Sequence, residues 1–133
     1  MDALRHALQD IGRLNVQPSP YEAIQQAASE TGADFDYLWR TAQRESGMNA
    51  SARAQTSSAA GLFQFTSETW LSMIERYGEK YGVEDVVPDT EEERKALLSL
   101  RDDPVASAIM AGELANENAT ILSRAIGREA TSQ

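Results

Sequence analysis

Apolar residues recur every three or four positions along most of the chain, the spacing of one face of an α-helix. Six helices are predicted from this pattern. The residues that mark the apolar or small face of five of them are, in chain order, Leu4, Leu8 and Ile11; Tyr21, Ile24 and Ala28; Phe35, Leu38, Trp39 and Ala42; Trp70, Leu71, Ile74 and Tyr77; and Ala108, Ala111, Gly112 and Ala115. The fifth helix in chain order is more polar and runs through about Leu100. The fold class predicted is mainly α.

Residues that favour helix ends bound these segments. The predicted starts are Asp34, Thr66 or Ser67, the pair Thr90 and Glu93 as a capping box, and Asp103 followed by Pro104; the predicted stops are the stretch "NVQPSP", Gly32, Gly47, Gly78 and, for the last helix, Gly127. The small face of the last helix lets another helix approach closely.

The segment "MNASARAQTSSAAGLFQF", residues 48–65, loses the helical period. It is rich in Ala, Ser and Thr, which predicts an ordered loop with at most a short β-hairpin. Long loops in compact domains are often functional. We expect residues 1–133 to form one domain, either complete or excised from a longer chain.

Composition narrows the classes of partner. A formal net charge of −9 gives an acidic surface, which makes nucleic acid and anionic lipid unlikely partners. No run approaches the ~18 apolar residues of a membrane span, and "MDALRHALQD" lacks the features of a signal peptide. The chain is thus predicted to be cytoplasmic, or to be a mature or excised piece.

Metal and redox chemistry find little support in the composition. There is no cysteine, His6 is the single histidine, and no calcium-binding loop motif occurs. We expect neither a metal nor a cofactor.

The helical pattern of apolar residues itself indicates one candidate catalytic residue, Glu45. It falls three residues after Ala42 and seven after Leu38, so it lies on the apolar side of the third helix. Burial of a carboxylate favours its neutral form, which suits a general acid. The alternative is a helix-end glutamate that pairs with Arg40, Arg44 or Arg53 and has no function.

The sequence after Glu45 resembles the soluble lytic transglycosylase (SLT) family, bacterial relatives of goose-type lysozymes. Glu45 and Ser46 match the family's Glu-Ser pair, and Met48 and Asn49 match its apolar-Asn step, with Ala50 in place of proline. The family's Gly-Ala-x-Gly-Leu-Met-Gln segment corresponds to Ser58, Ala59, Ala60, Gly61, Leu62, Phe63 and Gln64, with Ser58 in place of the first glycine and Phe63 in place of methionine.

The resemblance extends over residues 34–122. Thr69 stands at the family's helix threonine, and "DDPVASAIMAGELANENATIL" is similar to its later helix. The family's downstream tyrosine motif has no counterpart before the end of "AIGREATSQ". Its role falls to Tyr21, Tyr37, Tyr77 or Tyr81, or lies in a missing segment, or the activity is impaired.

The resemblance implies a lysozyme-like domain that cleaves the β-1,4 bond between N-acetylmuramic acid and N-acetylglucosamine in peptidoglycan. Glu45 would act first as acid and then as base, and the product would carry a 1,6-anhydro ring. The implied glycan-binding residues are Ser46, Met48, Ser58, Gly61, Leu62, Phe63 and Gln64, with Ser46 able to orient Glu45. Trp39 and Trp70 have core spacing and are predicted to be structural.

Two alternatives remain open at this stage. A second carboxylate within about 10 Å of Glu45 would favour a hydrolytic muramidase. A non-catalytic glycan-binding or assembly module would also keep the fold. The implied substrate places the protein in the periplasm, and the sequence does not identify which cell-envelope machinery it serves.

Overall fold

The computed structural model describes residues 18–131, with side chains through residue 127. Five α-helices and two short 3₁₀ helices follow one another in this part of the chain. They are α1 (Pro20–Thr31), α2 (Phe35–Ser46), α3 (Ser67–Tyr77), the first 3₁₀ helix (Gly78–Tyr81), α4 (Glu91–Ser99), the second 3₁₀ helix (Leu100–Asp102) and α5 (Pro104–Thr131). The predicted mainly α fold is confirmed; the helix predicted at Leu4, Leu8 and Ile11 lies outside the described residues.

Side-chain caps begin the helices where the sequence predicts them. Asp34 accepts a hydrogen bond from the backbone N–H of Tyr37 at 2.9 Å, and Asp103 accepts one from Val105 at 2.9 Å. Thr66 and Thr90 cap α3 and α4 in the same way. These bonds satisfy N–H groups that have no partner within the helix.

Helix ends follow the predicted glycines with one exception. Gly32 and Gly47 end α1 and α2 with φ values of 77° and 61°, a conformation that glycine adopts at little cost. Gly127, predicted to end the last helix, instead lies inside α5, which continues to Thr131. A glycine within a helix costs only about 1 kcal/mol relative to alanine, so it does not by itself stop one.

The N-terminal half of α5 forms the centre of the core. Residues 104–111 are all buried, and α1, α2, α3 and the second 3₁₀ helix pack against α5, with buried residues of the loop before α3 in the same core. Trp70 is fully buried, and its indole N–H donates to the Leu97 carbonyl oxygen at 2.8 Å. Trp70 is therefore structural, as predicted.

Close contact between α1 and α5 depends on the predicted small face. A Cβ added to Gly112 would lie 2.4 Å from Thr31 Oγ1, so the two helices could not approach so closely with alanine there. Beside it, Asn116 Nδ2 donates to the Thr31 carbonyl oxygen at 2.7 Å. The contact fixes the end of α1 against the middle of α5.

The loop at residues 48–65, called the cleft loop below, holds its shape without a regular strand. Two isolated antiparallel bridges, Arg53 with Ala60 and Ala60 with Phe65, are its only ladder pairs among the described residues. This agrees with the prediction of at most a short hairpin. Within residues 18–131, no helix is both long and apolar enough to cross a membrane.

Candidate active site

A cleft of about 210 Å³ lies between α2, the cleft loop and α5. Its lining residues are Tyr37, Leu38 and Thr41 from α2; Phe63, Gln64 and Phe65 from the cleft loop; Thr66 and Thr69 at the start of α3; and Ala111, Leu114, Ala115 and Asn118 from α5. Apolar walls with a few hydroxyl and amide groups are typical of sites that bind small polar molecules such as sugars.

Glu45 extends the α2 wall of this cleft by one helical turn. Tyr37, Thr41 and Glu45 are spaced four residues apart, so they share one face of α2 with about 5–6 Å between successive Cβ atoms. Tyr37 and Thr41 line the cleft. Glu45 is not itself among the lining residues; it lies one turn beyond Thr41, where α2 stops.

The predicted burial of Glu45 is wrong. Its side chain is 39% exposed, and Oε1 accepts a bond from Arg44 Nε at 3.3 Å. Leu38 and Ala42, on the same side of α2, are buried. Glu45 comes after them in the last turn of the helix, where the helix passes the edge of the core, so its carboxylate meets solvent.

Ser46 connects the two walls at this end of the cleft. Its single O–H donates to the Leu62 carbonyl oxygen at 2.6 Å, and the Ala42 carbonyl oxygen lies 3.1 Å from the same hydroxyl oxygen. The idea that this hydroxyl orients Glu45 directly is thus incorrect: it bonds the cleft loop. Because Ser46 follows Glu45 in the chain, the bond fixes the helix end that carries the carboxylate.

Gln64 lies in the cleft wall with a backbone φ of 53°, in the left-handed region that few residues other than glycine adopt. Its Nε2 donates to the Gly61 carbonyl oxygen at 2.9 Å and to that of Ala52 at 3.2 Å. These bonds hold the turn 61–64 and leave the amide oxygen Oε1 as the acceptor this side chain can offer to a ligand.

The remaining predicted binding residues lie around this turn. Phe63 lines the cleft, whereas the Leu62 side chain is fully buried in the core, so Leu62 contributes backbone to the wall. Met48 packs half-buried against the core, and Ser58 Oγ accepts from the Ser67 N–H at 3.0 Å. Neither of these two side chains lines the cleft.

The four tyrosines divide between the cleft and other contacts. Tyr37 lines the cleft and is 50% exposed. Tyr21 packs edge-on against Phe35 and Trp39, so the half-buried Trp39 belongs to an aromatic cluster. The hydroxyls of Tyr77 and Tyr81 donate to Glu117 and Glu113 of α5.

The lining of the cleft carries no carboxylate of its own. Among the described residues that line it, none is Asp or Glu, and Glu45 lies beyond them in the last turn of α2. Asp102 binds Arg53, and Asp103 caps α5. Across residues 18–131, no group of three or more His, Cys, Asp or Glu side chains is placed to hold a metal ion.

Four lining residues had no sequence signal assigned to them: Thr41, Phe65, Leu114 and Asn118. Thr41 could have been found by stepping back one turn from Glu45 along the same helix face. Leu114 and Asn118 could not, because their position depends on how α5 packs against α2.

The family follows from comparison with known sequences. A model of the transglycosylase SLT domain matches residues 22–124, which includes most of α1, all of α2 to α4 and most of α5. The chain belongs to the transglycosylase SLT domain family, whose members are typically lytic transglycosylases that cleave the glycan strands of peptidoglycan.

Proposed function

We propose that this protein is a peptidoglycan lytic transglycosylase that cleaves the β-1,4 bond between N-acetylmuramic acid and N-acetylglucosamine without water. The observation that carries the proposal is the position of Glu45 in the last turn of α2, one helical turn beyond the cleft-lining Thr41, next to a cleft whose described lining holds no carboxylate. Most glycosidases use two carboxylates. A single one suits a reaction in which the substrate supplies the second group.

Glu45 protonates the glycosidic oxygen, and the bond from this oxygen to C1 of N-acetylmuramic acid breaks. The N-acetyl group of the same sugar stabilises the positive charge left at C1. The Glu45 carboxylate then takes the proton of the C6 hydroxyl, and the C6 oxygen bonds to C1. The products are a 1,6-anhydro ring and a free 4-hydroxyl, and Glu45 is protonated again.

The exposure of Glu45 fits a carboxylate that must be reached by a polymer. A glycan strand in the cleft would cover the exposed part of this side chain and displace water from it. Loss of water favours the neutral acid, the form needed for the first proton transfer. In this proposal the substrate completes the desolvation that the free protein lacks.

The lining supplies groups that suit sugar hydroxyls and amides. Gln64 Oε1 accepts from an N–H or O–H of the substrate, and the Thr41 and Asn118 side chains offer further polar contacts. Tyr37 provides an aromatic surface beside them and is the described tyrosine best placed for the family's cleft role. Affinity comes from these contacts, since a net charge of −9 does not attract an anionic polymer.

The proposal places the protein outside the cytoplasm, in the periplasm, because its substrate is there. Fractionation of cells that express the full-length protein would show whether it is exported, and tests this point separately from the chemistry.

Mass spectrometry of soluble fragments from purified peptidoglycan tests the reaction. We expect anhydro-muropeptides from the wild type and none from Glu45→Gln. Glu75→Gln, a change of an exposed glutamate on α3, is the matched control and should release wild-type amounts. Circular dichroism would show that each variant is folded.

Other products would lead to other conclusions. Reducing-end fragments would indicate a hydrolytic muramidase. A folded wild type that releases nothing but binds glycan would indicate a binding module. Anhydro products from Glu45→Gln would refute the assignment of Glu45.

A further inference from the structure

The second 3₁₀ helix, Leu100–Asp102, holds the cleft loop at several points although the two are far apart in sequence. Arg101 Nη1 donates to the Ser58 carbonyl oxygen at 2.6 Å and to the Phe65 carbonyl oxygen at 3.0 Å. One guanidinium group thus bridges the two sides of the loop. Its Nε donates to the Leu98 carbonyl oxygen at 3.0 Å, which fixes the side chain itself.

A neighbouring ion pair adds a second attachment. Arg53, in the first half of the cleft loop, donates from Nη1 and Nη2 to the two carboxylate oxygens of Asp102, each at 2.6 Å. Paired parallel bonds of this kind fix orientation as well as distance. The hydrogen bond to Asp102 raises the pKa of Arg53, so this guanidinium stays charged.

Backbone packing brings the loop against the same turn. Gly61 has a φ of 86°, and a Cβ there would lie 2.1 Å from the Arg101 carbonyl oxygen. The turn 61–64, with Phe63 and Gln64 in the cleft wall, therefore rests directly on Arg101. Burial lowers the pKa of Arg101.

We propose that Arg101 and the Arg53–Asp102 ion pair are positioning residues, which hold the cleft loop so that Phe63 and Gln64 face Glu45 at catalytic distance. The inference rests on the proposed function for its link to catalysis. The loop forms no regular strand, and these contacts join its own backbone hydrogen bonds to the second 3₁₀ helix. Small displacements of groups that orient a substrate can lower a rate by about 100-fold.

The first test replaces Arg101 with methionine, which keeps an unbranched stem and removes the donors. Arg40→Met is the control, because Arg40 is 76% exposed and pairs with Asp36 within α2. Amide hydrogen exchange of residues 51–65, kcat and KM on peptidoglycan fragments, and the thermal midpoint are measured for each. We expect about tenfold faster exchange in this loop and a roughly 10- to 100-fold lower kcat/KM for Arg101→Met only.

The second test exchanges the charges of the ion pair. Arg53→Asp and Asp102→Arg alone should each speed loop exchange and lower kcat/KM, and the double variant should recover part of both losses. Recovery by charge exchange is not expected if either residue matters only for solubility or overall stability.

The results separate this inference from the proposed function. Wild-type products decide the reaction, whereas the ratio of variant to wild type decides the role of Arg101. If the wild type proves inactive, loop exchange and the Kd for glycan fragments still decide it. Unchanged loop exchange in Arg101→Met, or faster exchange with kcat/KM and Kd within twofold of wild type, would overturn the inference.

Discussion

The hydroxyl of Ser46 donates to the carbonyl oxygen of Leu62 over 2.6 Å and so joins the end of the Glu45 helix to the opposite wall of the cleft. The two residues are 16 positions apart. Leu62 is fully buried, so its carbonyl lies where an unpaired polar group is costly. The bond couples the position of the candidate catalytic residue to that of the loop that faces it.

Ser46→Ala should loosen this coupling. Loss of the buried hydrogen bond should lower the free energy of unfolding by about 1–2 kcal/mol. We also expect kcat/KM to fall roughly tenfold, since the two walls are no longer held in register. Ser99→Ala is the control, because the Ser99 hydroxyl is exposed and bonds only the Ala96 carbonyl in its own helix. Chemical denaturation and product release measure both effects; equal losses in the two variants would contradict the prediction.

Gly61→Ala should lower stability and activity more than Gly32→Ala, which replaces another glycine in the left-handed conformation. Gly32 has a φ of 77° and space around it, so Gly32→Ala meets only the backbone penalty, about 1–2 kcal/mol. At Gly61 the new Cβ also collides with the Arg101 carbonyl. Overpacking adds about 1–3 kcal/mol, and movement of the turn should lower activity. Denaturation and activity assays on both variants would measure this difference. Similar activity in the two would mean that the turn 61–64 tolerates displacement.

Much of the fold could be predicted because its signals are local. Asp34, Thr66, Thr90 and Asp103 cap helices through atoms two or three residues away, and Gly32 ends one through its own φ. These features need no knowledge of the rest of the chain. The end of α5 was missed because Gly127 carries only a weak local preference.

The site was less predictable because it depends on contacts between distant segments. The pattern correctly placed Glu45 on the same side as Leu38 and Ala42, but it could not show that the core ends before the last turn of α2. Arg53 and Asp102 are 49 residues apart, and no spacing rule links them. The motif indicated Gln64, yet only the structure shows that its Nε2 holds the turn.

Two glycines of α5 should respond in opposite ways to alanine. Gly127→Ala meets no atom within 4 Å and should stabilise the protein by about 0.5–1 kcal/mol through helix propensity. Gly112→Ala places Cβ against Thr31, and overpacking of about 1–3 kcal/mol should exceed that gain.

Thermal unfolding of both variants measures the difference. Thr31→Ala removes the two atoms closest to the added Cβ. This change should therefore destabilise the Gly112→Ala protein less than it destabilises the wild type, or should partly restore the stability of Gly112→Ala. A Gly112→Ala protein as stable as Gly127→Ala would mean that α1 and α5 can separate at no cost.

Alkaline titration should reveal the contact between α3 and α5 at Tyr77. Burial, followed by the hydrogen bond to Glu117, raises the Tyr77 pKa to about 12. The unfolded chain releases this proton near pH 10. Between these values the folded state binds more protons than the unfolded state, so the free energy of unfolding falls as pH rises. The stabilisation is fully present below about pH 10 and is lost as pH passes through about 12.

Phenolate absorbance and denaturation at several pH values test this expectation. The difference between wild type and Tyr77→Phe should show one phenolate forming near pH 12, and the variant should lose stability less steeply above pH 10. In Glu117→Gln the same phenolate should form at lower pH, because the carboxylate that accepts from the neutral hydroxyl is gone. If the phenolate that is absent from Tyr77→Phe forms near pH 10 in the wild type, Tyr77 is not held against α5 in solution.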